Sequence, residues 1–297
     1  MTETQNKELR MGSKPVEREK FMDLRVDWAF KYIFSIKENL MKFLNDILPI
    51  EVTDIDYQPN EIQVRNDKDK RSRLDVICES PEGKFLVEMQ QRHEDDFDDR
   101  LAYYASMLVK NQVKRGKKVK YKINHVYILC VADYVREHTK PAPADKVLFN
   151  YYHSETDTKE IYQEGKISYH FLELNRLKDK EWEKLTENPE RWCYMFKKMH
   201  TFAVTDALPS ELHGFDKIVE DAMLEGLSED NQMDYFNDKG LQEYRIRVTK
   251  DAAIKDAIAK GMKKTARAML AEGIDAQVIA RCTGLPMTVI SHLGKPK

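Results

Sequence analysis

The sequence predicts an α/β fold followed by a helical C-terminal region, and three stretches carry that prediction. The first runs Arg73-Leu74-Asp75-Val76-Ile77-Cys78, turns at Ser80-Pro81-Glu82-Gly83, and returns as Phe85-Leu86-Val87-Glu88-Met89-Gln90. Both arms are apolar and rich in β-branched residues between turn formers, the pattern of a β-hairpin. Pro at the second turn position and Gly at the fourth suit a type I turn. The second stretch is residues 126–131, a continuous apolar run of the kind buried on both faces of a sheet. The third is the change of character near Asp206, beyond which helical patterning dominates.

Taken in order, residues 1–20 are charged and aperiodic, a flexible tail. Helices are expected over residues 23–34 and from Ser35, where Ser35-x-x-Glu38 reads as a capping box and Leu40, Met41, Leu44, Ile47 and Leu48 keep helical spacing up to Pro49. Asp27 and Lys31 stand four apart and can pair along one helix face. A first strand is expected within 55–64, a charged loop over 65–73, and then the hairpin.

The acidic run Glu94-Asp95-Asp96-Phe97-Asp98-Asp99 suits a helix N-terminus, where the dipole favours negative charge. Phe97, Leu101, Tyr104, Ala105 and Leu108 give that helix its apolar face. Arg100 can bind a phosphate through its guanidinium or pair with Asp96. Residues 110–122 hold seven Lys or Arg: Lys110, Lys114, Arg115, Lys117, Lys118, Lys120 and Lys122. Such a run is either a solvated helix end or a track for a phosphate backbone.

Further strands are expected at 147–152 and 167–174, and a helix over 182–199 with a fresh start at Asn188-Pro189. Later helices are expected at 215–225 and 251–272. Asp275, Gly284 and the apolar Ile279, Leu285, Ile290 and Leu293 outline a helix-turn-helix-like end. Its exposed positions are poor in base-reading side chains, so packing or oligomerisation is an equal expectation.

The chemistry concentrates in the hairpin. Strand side chains alternate between faces, so Glu88 and Gln90 share one face, away from Val87 and Met89. Asp75 on the other arm can converge with them. Buried carboxylates are costly unless paired or bound to a cation. Asp75, Glu88 and the Met89 main-chain carbonyl offer oxygen ligands suited to Mg²⁺, or to a related divalent ion such as Mn²⁺.

An Asp, a turn, and Glu-x-Gln on the next strand resemble the PD-(D/E)XK nucleases, and specifically the recombination-promoting nuclease/putative transposase family. Asp27-Trp28-Ala29-Phe30-Lys31-Tyr32-Ile33-Phe34, Phe43-Leu44-Asn45-Asp46-Ile47-Leu48, and Arg100 with Tyr103-Tyr104 fit that family in the same order. The resemblance implies a restriction-endonuclease-like core with a mixed central sheet flanked by helices over residues 21–205, and a helical region over 206–297. It also implies Mg²⁺-dependent hydrolysis of DNA phosphodiester bonds, connected with recombination or transposon-like activity. Asp75 and Glu88 would hold the metal, Gln90 would stand where the family pattern has Lys, and Asp27 would complete the catalytic set. Arg100 and Tyr104 would brace the scissile phosphate, and Lys114, Arg115, Lys117 and Lys118 would hold the DNA backbone. The alternatives are a weak or inactive DNA- or protein-binding module on the same fold, and a scaffold that self-assembles through the helical region.

Composition narrows the classes further. The formal net charge is −2 with 34% charged residues, so a nucleic-acid surface has to be a local patch. The four Cys are scattered without a C-x-x-C pair, which excludes a zinc signature and a disulfide framework and suits reduced thiols. No apolar run reaches the ~20 residues of a membrane helix, and the start lacks a signal-peptide pattern. The expectation is a cytoplasmic protein whose partner is DNA, with no membrane association.

Overall fold

The computed structural model describes residues 19–59, 74–113, 122–138 and 140–293, so most of the tail expected at 1–20 lies outside the described residues. Six strands form one sheet: β1 Asp56–Tyr57, β2 Val76–Ser80, β3 Gly83–Gln90, β4 His125–Ala132, β5 Leu148–Tyr152 and β6 Ile167–Glu173. Their spatial order is β1-β2-β3-β4-β6-β5. The β3–β4 and β4–β6 pairs are parallel and the others antiparallel. The sheet is therefore mixed, and helices flank it on both faces.

The hairpin closes through Pro81 and Glu82, with Ser80 paired to Gly83. The Glu82 N–H donates to the Ser80 hydroxyl at 3.1 Å, which fixes the turn. Along β3 the alternation sends Phe85 and Val87 into one apolar cluster and Leu86 into another. The first cluster takes helices α1 (Asp27–Ser35) and α2 (Lys37–Ile47) through Phe30, Phe34, Phe43 and Leu44. The second cluster takes helix α3 (Phe97–Lys110) through Phe97, Leu101, Tyr104, Ala105 and Leu108. Helix α4 (Asn188–Lys198) adds Trp192 and Phe196 to the first. Residues 126–131 are buried throughout, as expected for a strand covered on both faces.

Several local expectations change once tertiary contacts are in place. Helix α1 begins at Asp27, four residues later than its pattern suggests, because Asp23 is held by Arg25. Val26 at its N-cap makes no side-chain cap. Instead the Asp238 carboxylate accepts the Trp28 N–H at 2.9 Å, so a distant helix satisfies one of the orphan donors. Ser35 does not cap α2. It is the last residue of α1, and its hydroxyl donates back to the Tyr32 carbonyl at 2.7 Å. Of the strand expected within 55–64, Asp56–Tyr57 pairs with β2, while residues 60–64 and the expected loop at 65–73 fall outside the described residues. The helix expected over 182–199 is a 3-10 turn, Trp182–Lys184, followed by α4 with Pro189 in its first turn.

The chain divides into two compact units, Met1–Asp238 and Lys239–Lys297. In the first, helix α5 (Asp216–Asp221) sends Ile218 and Val219 into the first cluster, beside Phe215 and Tyr235. The N-terminal segment docks there too: the Met22 N–H donates to the Ala222 carbonyl, and the Asp23 N–H to the Tyr235 hydroxyl, each at 2.9 Å. Helix α6 spans Glu229–Ala271, far longer than the expected 251–272 segment. In the second unit Ala266, Ile279 and Ile290 form a small core with α7 (Ala276–Thr283) and α8 (Met287–Leu293). The Asp275 carboxylate caps α7 at the Gln277 and Val278 N–H groups, and Gly284 ends it at φ 68°.

Gly83 carries a packing constraint that its turn position alone does not reveal. A Cβ there would meet the His125 carbonyl oxygen at 2.7 Å and the Tyr127 ring at 2.9 Å. The β3–β4 pairing needs that close approach. Gly83→Ala should cost roughly 1–3 kcal/mol, the usual range for overpacking, read as a lower urea midpoint. An unchanged midpoint would remove the steric account of this residue.

Candidate active site

The site forms where β2 begins and β3 ends. Val76 pairs with Val87, and that register carries Asp75, on the bend before β2, opposite Glu88. Main-chain bonds lock the two together. The Asp75 N–H donates to Glu88 Oε1 at 3.2 Å, and the Met89 N–H donates to Asp75 Oδ2 at 2.9 Å. Glu88 is 8% exposed, and the Asp75 side chain 11%. A cross-strand pair of carboxylates in that position repels itself and loses hydration, so both groups resist ionisation. Burial raises Asp75 to about 6, against the opposing pull of Lys31 and the Met89 N–H. Burial, and then the Asp75 charge, push Glu88 well above the ordinary carboxylate range.

Lys31 enters from α1. Its Nζ lies 2.7 Å from Asp27 Oδ1 and 3.2 Å from Asp75 Oδ1, so one ammonium bridges two carboxylates. Burial alone would lower its pKa, but Asp75 and Asp27 outweigh burial and raise it. The Asp27–Lys31 pair seen in the sequence is therefore joined to the hairpin through Asp75. Its second partner, Asp75, lies on a different element and left no signal in the spacing.

Gln90 and Arg100 stand on the other side, toward α3. The Gln90 Nε2 donates to the Arg92 carbonyl at 2.8 Å, and its Oε1 accepts from Arg100 Nη2 at 3.1 Å. Arg100 Nη1 bonds Glu94 at 2.6 Å, so the Asp96 partner expected from i, i+4 spacing is replaced by Glu94. Asp96 is the residue just before α3, at φ −96° and ψ 6°, off the helical backbone that would set its side chain over Arg100. Tyr104 is 6% exposed and packs in the cluster beneath α3. Lys114, Arg115, Lys117 and Lys118 lie outside the described residues.

Another polar group borders the site. Arg25 bonds Asp23 through Nη2 at 2.8 Å and Asp133 through Nη1 at 3.1 Å. Asp133 follows β4, and its N–H donates to the Gln90 carbonyl at 2.9 Å. The Arg25 carbonyl in turn accepts from the Gln91 side chain. These contacts tie the N-terminal segment to the ends of β3 and β4, and sequence patterning did not single them out.

Among the described residues, no group of three or more His, Cys, Asp or Glu converges as a metal cage. Two facing carboxylates with hard oxygen donors still fit a divalent cation that keeps several waters, as Mg²⁺ does. Their resistance to ionisation is what a bound cation would relieve. No helix among the described residues is long and apolar enough to cross a membrane.

A mixed sheet flanked by helices, with an Asp/Glu-x-Gln hairpin within it, defines the restriction-endonuclease-like class. A family model described as PD-(D/E)XK nuclease family transposase matches residues 24–248, and the chain belongs to that family. No curated protein and no solved structure matched. Family membership supports nuclease chemistry as the activity class.

The raised Asp75 value has a consequence for stability. A carboxyl with a higher pKa folded than unfolded holds its proton more tightly in the folded state. Its contribution is therefore fully present below about pH 3.8 and is lost as pH rises from there through about 6. In EDTA, Asp75→Asn should gain stability relative to wild type between pH 5 and pH 8, by roughly 1 kcal/mol. Urea titrations at the two pH values measure it; a difference independent of pH would contradict the buried, proton-retaining carboxyl.

Proposed function

We propose that the chain is a Mg²⁺-dependent DNA endonuclease that hydrolyses phosphodiester bonds, in service of recombination or transposon-like rearrangement. One observation carries the reading: Asp75 and Glu88 are buried side by side on the hairpin, each held by a main-chain N–H of the opposite strand. In this reading they hold the cation together with the Met89 main-chain carbonyl. The cation, when bound, polarises a phosphoryl oxygen and acidifies a bound water. Gln90 orients the attacking water, and Arg100 braces the scissile phosphate through its charged fork. Asp27 fixes Lys31 at the edge of the site.

The lysine-rich stretch through residues 114–118 supplies sequence-independent affinity for the DNA backbone. The exposed Leu241, Tyr244, Val248, Ile258 and Met262 on α6 support self-association of the chain. A second reading, a binding module with weak or no catalysis, draws support from Gln90, whose amide offers a dipole where an ammonium would offer charge.

Incubation with supercoiled plasmid, with and without Mg²⁺, separates the two. Asp75→Ala and Glu88→Ala should each stop cleavage, by at least about a hundredfold, with the fold intact by circular dichroism. Cutting by either variant at the wild-type rate would sink the assignment of the metal site. Replacing Lys114, Arg115, Lys117 and Lys118 with Ala should weaken binding to all duplexes alike. Every phosphate-binding cation removed in this way should also flatten the salt dependence by about one unit of log–log slope. Fluorescence anisotropy at several salt concentrations reads both effects, and unchanged affinity and slope would move the DNA surface elsewhere.

A further inference from the structure

Hydrolysis of a phosphodiester builds negative charge on the phosphoryl oxygens, and fixed positive charge beside them lowers the barrier. The family pattern has a lysine two residues after its second acid, and here that position is Gln90. The Gln90 amide is engaged at both ends, Nε2 on the Arg92 carbonyl and Oε1 on Arg100. Neither end touches the carboxylate pair. Arg100 is itself tied to Glu94 and Gln90.

Lys31 meets the requirement that Gln90 does not. Its ammonium lies 3.2 Å from Asp75 Oδ1, against the same carboxylate that takes the Met89 N–H. Asp27, one helical turn earlier, holds it from the other side at 2.7 Å. An ammonium has three N–H donors, and two carboxylate partners leave one for a water or a phosphoryl oxygen. The side chain is 29% exposed, so a substrate can reach it. Tertiary contacts set its position: Tyr235 accepts the Asp23 N–H, and Asp238 caps Trp28 at the start of α1.

We propose that Lys31 is the ammonium of the hydrolytic site, supplied from helix α1 in place of the lysine absent from position 90. The inference rests on the nuclease reading and adds to it a catalytic residue. In the reaction the water oxygen forms the new bond to phosphorus and the bond from phosphorus to the leaving sugar oxygen breaks. The proton that the water gives up is matched by the one the leaving oxygen takes. Lys31 neither gives nor takes a proton; it holds positive charge against the phosphoryl oxygens as that exchange proceeds.

The test uses the full chain and two readouts, plasmid cleavage and calorimetric titration with Mn²⁺. Lys31→Met should cut about a hundredfold more slowly, the scale expected for loss of one charge-stabilising donor. It should bind Mn²⁺ at least as tightly as wild type, because the residue removed is a cation beside the ligands. The double variant Lys31→Met/Gln90→Lys, which moves the ammonium to the neighbouring strand, should recover at least about tenfold of the lost rate. A residue that only props the carboxylates would lose Mn²⁺ affinity and show no recovery, and either result overturns the inference. Should Lys31→Met fail to fold, Lys31→Gln repeats the measurement with a neutral polar side chain. A wild type that cuts no faster than a folded neutral variant overturns this inference alone. A wild type that binds Mn²⁺ and cuts no nucleic acid overturns the nuclease reading and this inference together.

Discussion

Two carboxylates buried side by side are the constraint around which the first compact unit is arranged. Asp75 and Glu88 sit opposite each other because the hairpin register leaves no other place for them. Each loses hydration and faces a like charge, a combination that would cost several kcal/mol if nothing answered it. The answers come from different parts of the chain. Two main-chain N–H groups point at the pair, Lys31 reaches Asp75 from α1, and the charge of Arg100 acts on Glu88 from α3. The sheet supplies the negative charge, and the helices on its two faces supply the positive.

That division explains why α1 has to be placed with care. Its own sequence gives it a weak start, with Val26 at the N-cap and no side chain to satisfy the first turn. Asp238 caps it instead, and Tyr235 secures the segment just ahead of it. Arg25, between those points, bridges Asp23 and Asp133 and so fixes the approach of α1 to the ends of β3 and β4. The contacts converge on one result, an ammonium at hydrogen-bond distance from Asp75. Loosening the beginning of α6 would reach the site through this route, although α6 contributes no residue to it.

The hairpin itself depends on a steric detail. Gly83 ends the turn and also lets β3 approach β4 closely enough for eight consecutive parallel pairs, from Gly83 with His125 to Gln90 with Ala132. The same strand then presents Phe85 and Val87 to the helices on one face and Leu86 to α3 on the other. Glu88 follows on the same strand, and its burial together with the neighbouring Asp75 charge raises the pKa of its carboxyl.

The sequence by itself determined the elements with strong local patterns. The hairpin was legible from its β-branched arms and its Pro and Gly, the strand at 126–131 from its unbroken apolar run, and α3 from the spacing of Phe97, Leu101, Ala105 and Leu108. The facing of Asp75 and Glu88 followed from a period of two and a turn of known length. Tertiary structure decided what those periods cannot encode. It turned the Ser35 hydroxyl back onto α1 and gave Arg100 to Glu94 and Gln90. It also carried Lys31 to Asp75. The physical reason is the same in each case: a local pattern fixes which face a side chain occupies, whereas its partner depends on which other segment packs against that face. Lys31 and Asp27 share a helix and could be paired by counting, but Lys31 and Asp75 meet only after α1 has docked beside the hairpin.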